Sequence, residues 1–223
     1  MNLTKYNKKR DFKKTKEPSG KTKTTKKVLK DKLIFTVQKH DASHLNYDFR
    51  LELDGVLLSW AIPKGPSLDP SVKRLAMMVE DHPFDYKDFE GIIPKGNYGA
   101  GEVIVWDNGY YLPIGGSESK EENEKLLRKM VKKGDIKFVM LGKKLKGEFA
   151  LVNMHKDDNS WLLIKKDDEY ASDEDMTKKD KSVISKKTIE SIKKASKKED
   201  NDEDVWGSSP KKKSTKAKSA KAK

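Results

Sequence analysis

Eight short runs rich in Val, Ile, Leu, Phe and Trp follow one another between residues 34 and 166: IFTVQKH, NYDFRLEL, VLLSWAI, LAMMVE, GEVIVWD, IKFVML, GEFALVNM and WLLIKK. Turn-forming residues separate them, among them Asp54-Gly55, Lys64-Gly65-Pro66, Pro94-Lys95-Gly96 and Asn108-Gly109. Strands this short, with turns of this chemistry between them, close on one another as an antiparallel barrel or sandwich. The expectation is an all-β chain, a compact antiparallel β-barrel over residues 31–172 with short peripheral helices. Asn108-Gly109, lying between two strand-like runs, is the strongest single hairpin signal.

One interruption is helical. Residues 120–133, KEENEKLLRKMVKK, place Leu126, Leu127, Met130 and Val131 on one side, and acids precede bases along the run, as the helix dipole favours. This helix is expected to cover a barrel end, with Gly134-Asp135 ending it. Outside the barrel the composition changes. Residues 1–30 form a basic N-terminal arm; residues 5–32 carry thirteen Lys or Arg against three acids. Residues 173–206 read as a helical and mixed extension, with an amphipathic helix over 182–195 started by Ser185 and using Ile189 and Ile192. Val205-Trp206 stands isolated, and Trp206 has the composition of a docking residue. Residues 207–223 hold seven lysines and no acid and read as a disordered tail.

Charge narrows the function classes. The 49 Lys and Arg exceed the 36 Asp and Glu, for a formal net charge of +13, which favours a polyanionic partner, nucleic acid before an anionic membrane. Without cysteine the chain has no disulfide and no thiolate metal site. MNLTKYNKKR has no apolar core of a secretory signal, and no run approaches the roughly 20 apolar residues that cross a bilayer. A cytoplasmic protein with no membrane partner is expected.

The chemistry concentrates in QKHDASHLNYDFR, residues 38–50. Asn46, Asp48 and Arg50 alternate with Leu45, Tyr47, Phe49 and Leu51, so the polar set shares one face of a strand and the apolar set the other. His40 offers imidazole and Asp48 a hard carboxylate to a divalent metal. Asn46 adds an uncharged oxygen donor. Arg50 can fork across two phosphate oxygens. His44, in the turn before the strand, either contacts substrate or faces water. Glu52 continues the face and either orients Arg50 or ends in a surface ion pair.

A second cluster is Glu80-Asp81-His82-Pro83 with Tyr86. His82 can bind phosphate as imidazolium or protonate a leaving oxygen, and Glu80 can orient it. Lys64, Arg74 and Lys95 add cations near Gly-Pro turns. PKGP and PKGNYGAG are not P-loops, lacking the GK[ST] ending and a strand–loop–helix setting. No Ser-His-Asp arrangement stands out, so metal-assisted phosphoryl chemistry leads among the enzyme readings.

The segments FTVQKHDASHLNYDFRLELDGVLLSWAIPKGPSLDP, KRLAMMVEDHPFDYKDFEGIIPKGNYGAGEVIVWDNGYY and LKGEFALVNMHKDDNSWLLIKKDDEYA resemble the 3'-phosphoesterase domain of bacterial and archaeal DNA ligase D. The resemblance covers about residues 31–172, and the opening KRDFKKTKEPSG resembles that domain's N-terminal segment. With no room for ligase and polymerase modules, a free-standing domain is expected. The resemblance implies a manganese-dependent enzyme, other divalent metals being candidates, that removes a terminal 3' ribonucleoside and then a 3' phosphate during double-strand-break repair by non-homologous end joining. The partners it implies are DNA 3' ends in a duplex or primer–template, and a separate ligase, polymerase or end-binding protein. Carried onto this chain, His40 and Asp48 match metal ligands, and Arg50 and His82 match phosphate-binding or catalytic residues. Gln38, Glu80, Lys64, Arg74 and Tyr86 match supporting positions. Arg10, Asp11 and Glu17 match polar residues of the arm, with Glu17 tied to the ribonucleoside step. The family pattern has histidine where Asn46 stands. Asn46 and the two basic termini motivate one alternative, a non-catalytic DNA-end-binding or scaffold module; a second is an RNA 3'-end processing enzyme, since a 3' ribonucleotide need not belong to DNA.

Overall fold

The computed structural model describes residues 2–20 and 32–195. The lysine tail, Trp206 and the acidic cluster before it lie outside these residues. Ten strands form, in chain order β1 (Leu33–Asp41), β2 (Leu45–Leu53), β3 (Val56–Ile62), β4 (Lys73–Met78), β5 (His82–Pro83), β6 (Gly91–Ile93), β7 (Gly101–Pro113), β8 (Asp135–Gly142), β9 (Lys146–Asn153) and β10 (Ser160–Lys165). The order β1-β2-β3-β4-β10-β9-β8-β7 returns to β1 through the β1–β7 pairing and closes an eight-stranded antiparallel barrel. β5 adds to β3 and β6 to β7 outside that circuit. Closure leaves the eight strands without an exposed edge.

Alternation decides what goes inside. Phe35, Phe49, Trp60, Trp106, Phe138 and Phe149 are fully buried in the barrel interior. The outward side chains of β1 and β3 carry a second, smaller apolar cluster: Ile34, Leu57, Tyr86, Phe89, Ile93, Val103 and Tyr6, with Leu3, Phe12 and Phe84 against it. Tyr6 comes from α1 (Thr4–Lys8), and its hydroxyl donates to the Pro18 carbonyl at 2.7 Å. Part of the basic arm is therefore folded onto the barrel wall, where it joins the segment of residues 80–93.

The β2–β3 hairpin turns on Asp54-Gly55, both at positive φ (54° and 76°), with Leu53 paired to Val56. That is the two-residue turn favoured by the strand twist. Asn108-Gly109 is not a turn: it lies inside the thirteen-residue β7. There β7 keeps β1 on one side and takes on β8 on the other, and a Cβ on Gly109 would meet the Leu141 carbonyl oxygen at 2.2 Å. Nearby the register shifts, with Val37 opposite Asp107 and Gln38 opposite Val105. The glycine serves a close backbone approach beside a bulge, its other use within strands.

The helix over Lys120–Lys133, α2, forms as expected, capped by Ser119 accepting from Glu122 N and ended by Gly134 at φ 76°. Leu127 joins the barrel core with Met130 and Val131 packed against it, while Lys120 and Arg128 pair with Glu52 and Asp54 at the hairpin end. In the extension, helix begins at residue 189 rather than at Ser185. Thr188 Oγ1 accepts from Ser191 N and Ser191 Oγ from Thr188 N, a reciprocal cap. Ser185 lies in the preceding turn, where its N–H is held by Ser182 Oγ. Among the described residues no helix is long and apolar enough to cross a membrane.

Candidate active site

The polar face of β2 meets that of β1 in fixed register: His40 opposite Asn46, Gln38 opposite Asp48, and Thr36 opposite Arg50. On its other side Arg50 faces Ser59 of β3. The face is not a row of solvated side chains. Gln38 and Ser59 are fully buried and Arg50 is 2% exposed.

Asp48 is the hub. Its carboxylate accepts from Arg50 Nη2 at 3.0 Å and from Asn46 Nδ2 at 2.7 Å, and it stands 3.4 Å from His40 Nδ1. Burial alone would raise this carboxyl's pKa, but Arg50, His40 and Asn46 together hold it below its ordinary value. Arg50 is fixed at three points, its Nε donating to Gln38 Oε1 (2.8 Å), Nη1 to Ser59 Oγ (2.7 Å) and Nη2 to Asp48. Gln38 is held in turn by donating to the Tyr86 and Phe89 carbonyls. Glu52 does not orient Arg50. It is buried at the far end of the strand, accepting from Ile34 N and Lys120 Nζ.

His40 Nε2 lies 2.9 Å from the Gly99 carbonyl, to which it can only donate. Nδ1 therefore faces the Asp48 carboxylate. Burial works against charging this imidazole, but Asp48 and the Gly99 carbonyl outweigh it and raise its pKa. An imidazole whose outer N–H is held by a carbonyl while its other nitrogen faces a carboxylate has the set of a metal ligand with its outer partner. The donor chemistry fits a hard or borderline divalent cation. Asn46 departs from the sequence expectation, because its amide N–H holds Asp48 in position rather than its oxygen joining the pair as a third donor. Among the described residues no group of three or more His, Asp or Glu is placed to hold a metal ion.

The second half of the site comes from far along the chain. Arg10, on the arm, donates through Nε to Glu17 (2.8 Å) and through Nη1 to Glu80 (3.2 Å), and its Nη2 lies 3.1 Å from His82 Nε2. Its guanidinium lies over the Tyr6 ring at 3.8 Å. Tyr86 donates to Glu17 at 2.9 Å, and Lys9 pairs with Glu80 at 2.9 Å. His82 Nδ1 lies 2.9 Å from the Glu80 carbonyl and 3.3 Å from Ser59 Oγ. Donation to that carbonyl leaves Nε2 unprotonated. Burial, Arg50 and Arg10 push the His82 pKa well down, so the ring is neutral at neutral pH. Burial between two guanidinium groups thus disfavours the imidazolium form of His82. Ser59 touches both Arg50 and His82 and joins the two halves.

Asp11 lies outside the cluster, its carboxylate accepting from Lys13 N and pairing with Lys14 on an exposed turn. Arg74 follows the inward phase of Ala76 and Met78 on β4; the Asp69 and Asp175 carboxyls are held below their ordinary range chiefly by hydrogen bonds from Ser71 and Thr177, with Arg74 a lesser contribution. No hydrogen bond or ion pair among the described residues joins Lys64, Lys95 or Arg74 to the cluster. His44 is exposed in the β1–β2 turn. Sequence reasoning missed Ser59, Tyr6, Lys9 and the Gly99 carbonyl. For Ser59 a signal existed: the two-residue Asp54-Gly55 turn sets it opposite Arg50.

Residues 38–153 match the DNA ligase D 3'-phosphoesterase domain family, more than half of the chain. The chain belongs to this family. Among its relatives, the multifunctional non-homologous end joining protein LigD of Pseudomonas aeruginosa is 47% identical over 196 residues, 84% of this chain and 22% of that protein. LigD of Mycolicibacterium smegmatis is 40% identical over 174 residues, 78% of this chain and 22% of that protein. LigD of Mycobacterium tuberculosis is 52% identical over 109 residues, 49% of this chain and 14% of that protein. The chain thus spans much less than half the length of the curated relatives it matches. Within the matched span of the 3'-phosphoesterase family lie Gln38, His40, Asp48, Arg50, Ser59, Glu80, His82 and Tyr86. Arg10 and Glu17 lie outside it, and their contacts with Glu80, His82 and Tyr86 bring them to the site.

Proposed function

We propose that this chain is a metal-dependent phosphoesterase that heals DNA 3' ends for non-homologous end joining. In this reading it removes a terminal 3' ribonucleoside and then a 3' phosphate. The observation that carries the proposal is the Asp48 carboxylate, set between the imidazole of His40 and the guanidinium of Arg50. A cation site and a phosphate site thereby share one side chain.

His40 and Asp48 would hold the cation, manganese before other divalent metals, with Asn46 as a neutral neighbour. A cation held there would supply charge neutralisation at the phosphate and would lower the pKa of a bound water. The chain's own residues do the rest. Arg50, locked by Gln38, Ser59 and Asp48, presents its charge without reorganising. His82, neutral and with Nε2 unprotonated, either takes the proton of an attacking water or attacks phosphorus itself. Arg10 must release that nitrogen in both cases. Attack forms a new bond to phosphorus and breaks the bond to the leaving oxygen, which departs as the ribonucleoside hydroxyl in the first step and as the DNA 3' hydroxyl in the second. In the water route the proton that His82 takes passes on to that oxygen; in the covalent route the oxygen takes a proton from solvent, and water then attacks phosphorus, breaks its bond to Nε2 and returns His82 to the neutral form. Glu17 and Tyr86, tied to each other and to Arg10, border the place where the leaving ribonucleoside would sit.

The test incubates purified protein and Mn²⁺ with labelled duplexes ending in a 3' phosphate or one 3' ribonucleotide, beside all-RNA equivalents. The expected result is Mn²⁺-dependent conversion of the DNA ends to 3' hydroxyls. No product beyond that of a folded His40→Ala/Asp48→Ala double variant would overturn it. The hydrogen bond from Asn46 to Asp48 favours a second reading, a DNA-end-binding module without turnover. That reading expects salt-sensitive binding of ends, which Mn²⁺ leaves unprocessed.

A further inference from the structure

The loop Pro94–Ala100 between β6 and β7, whose Gly99 carbonyl holds His40, borders the site. Its backbone is tightly determined. Asn97 N donates to the Pro94 carbonyl and Ala100 N to the Asn97 carbonyl. Gly96 and Gly99 have φ of 83° and 73°, and a Cβ on Gly101 would lie 2.1 Å from the Asp41 carbonyl oxygen. This loop carries Tyr98, one residue before the carbonyl that holds His40. Of the other aromatic side chains of this corner, Tyr6, Tyr86 and Phe89 are buried, and Phe12 and Phe84 pack against them partly buried. Tyr98 is 49% exposed. Its hydroxyl accepts from Lys9 Nζ at 3.2 Å, that ammonium lies 4.4 Å from the ring centroid, and the Arg10 guanidinium lies 5.6 Å from it.

An open aromatic ring on a stiff loop, flanked by cations and adjoining a candidate phosphate site, is the arrangement that receives an unpaired nucleotide. The ring meets the π-face of a base, the cations meet the backbone, and no base-edge group is required. We infer that Tyr98 is the stacking platform for the terminal nucleoside at a DNA 3' end, with Lys9 beside it as a backbone contact. The platform is indifferent to base identity, since stacking needs a ring and not a particular hydrogen-bonding edge. This deepens the 3'-end phosphoesterase reading and rests on it.

The experiment compares wild type, Tyr98→Phe and Tyr98→Ala in the full chain. The substrates are duplexes with a 3' phosphate whose terminal nucleoside either carries a natural base or is abasic. Wild type is expected to show a lower KM for the natural base than for the abasic end. Tyr98→Ala should raise KM for the natural base roughly five- to a hundred-fold, the range measured for one lost base–aromatic stack. It should leave KM for the abasic end and kcat on both ends unchanged. Tyr98→Phe should behave as wild type. An equal loss on both ends would make Tyr98 structural, and a Tyr98→Phe defect as large as that of alanine would make it a latch for Lys9. No change with alanine would remove it from the site. Each of these results overturns the inference. If wild type turns over neither substrate, the phosphoesterase reading has failed, and the platform is then judged by binding alone. Quenching of a terminal 2-aminopurine that alanine abolishes and phenylalanine preserves would still support it, and absent quenching would overturn it.

Discussion

The two halves of the site are built in different ways. The His40–Asp48–Arg50 half is carried by two adjacent strands, and all of its side chains except Ser59 fall within residues 38–50. A short turn sets the register, the barrel closes behind it, and Phe49 and Tyr47 anchor its reverse side in the core. The Arg10–Glu17–Glu80–His82 half is assembled from chain segments some seventy residues apart, through ion pairs and a small satellite of apolar packing. Local geometry makes the first half rigid. The second depends on an arm whose few contacts can open at far lower cost than the barrel. On the proposed function, cation binding would fall to the stiff half and admission of the leaving group to the adjustable one.

Removing the hub is the strongest way to break this comparison. Asp48→Ala should lower both the ribonucleoside and the 3'-phosphate steps by more than about a hundred-fold, because one carboxylate serves His40 and Arg50 together. Rates on the two substrates, with circular dichroism as the folding check, decide it. A loss confined to one step would mean that the halves do not divide the work as described.

Glu17→Ala comes next in size and should act on the arm alone. Ribonucleoside removal should fall about ten- to a hundred-fold, with 3'-phosphate release within about three-fold of wild type. Parallel single-turnover assays on the two ends measure the split, and equal losses would show that the arm serves both steps.

The same contrast explains what the sequence could reveal. Asn46, Asp48 and Arg50 were legible because a strand period of two puts them on one face whatever the fold around them. The barrel was legible from the turns, although the more prominent Asn-Gly pair proved to be a strand glycine and the modest Asp54-Gly55 a hairpin turn. A residue pair carries a conformational preference, and only the surrounding pairing decides which use it serves. Ser59 looked like a polar interruption in VLLSWAI until the hairpin register placed it opposite Arg50. Tyr6, Lys9 and Tyr98 gave no local sign at all. Their role depends on an arm folding back across the β6–β7 loop, and no periodicity encodes a contact over eighty-nine residues. Arg10 and Glu17 could be named only through resemblance, for the same reason.

Asn46→His should sharpen the account of the stiff half with a smaller effect. Imidazole in place of the amide donor should tighten Mn²⁺ binding roughly ten-fold and raise turnover. Metal titration by calorimetry beside single-turnover rates checks both, and unchanged values would put position 46 outside the working site. The smallest effect is a control. Thr188→Ala removes one side of a reciprocal cap that, among the described residues, has no hydrogen bond to either half, so it should cost about 1 kcal/mol of stability and leave Mn²⁺ affinity and turnover untouched.

The central claim, that His40 and Asp48 form the cation site, is tested most directly by anomalous scattering from crystals grown with Mn²⁺. The account predicts one stoichiometric peak bonded to His40 Nδ1 and the Asp48 carboxylate, absent from Asp48→Ala crystals. A peak elsewhere, or none at saturating Mn²⁺, would contradict it.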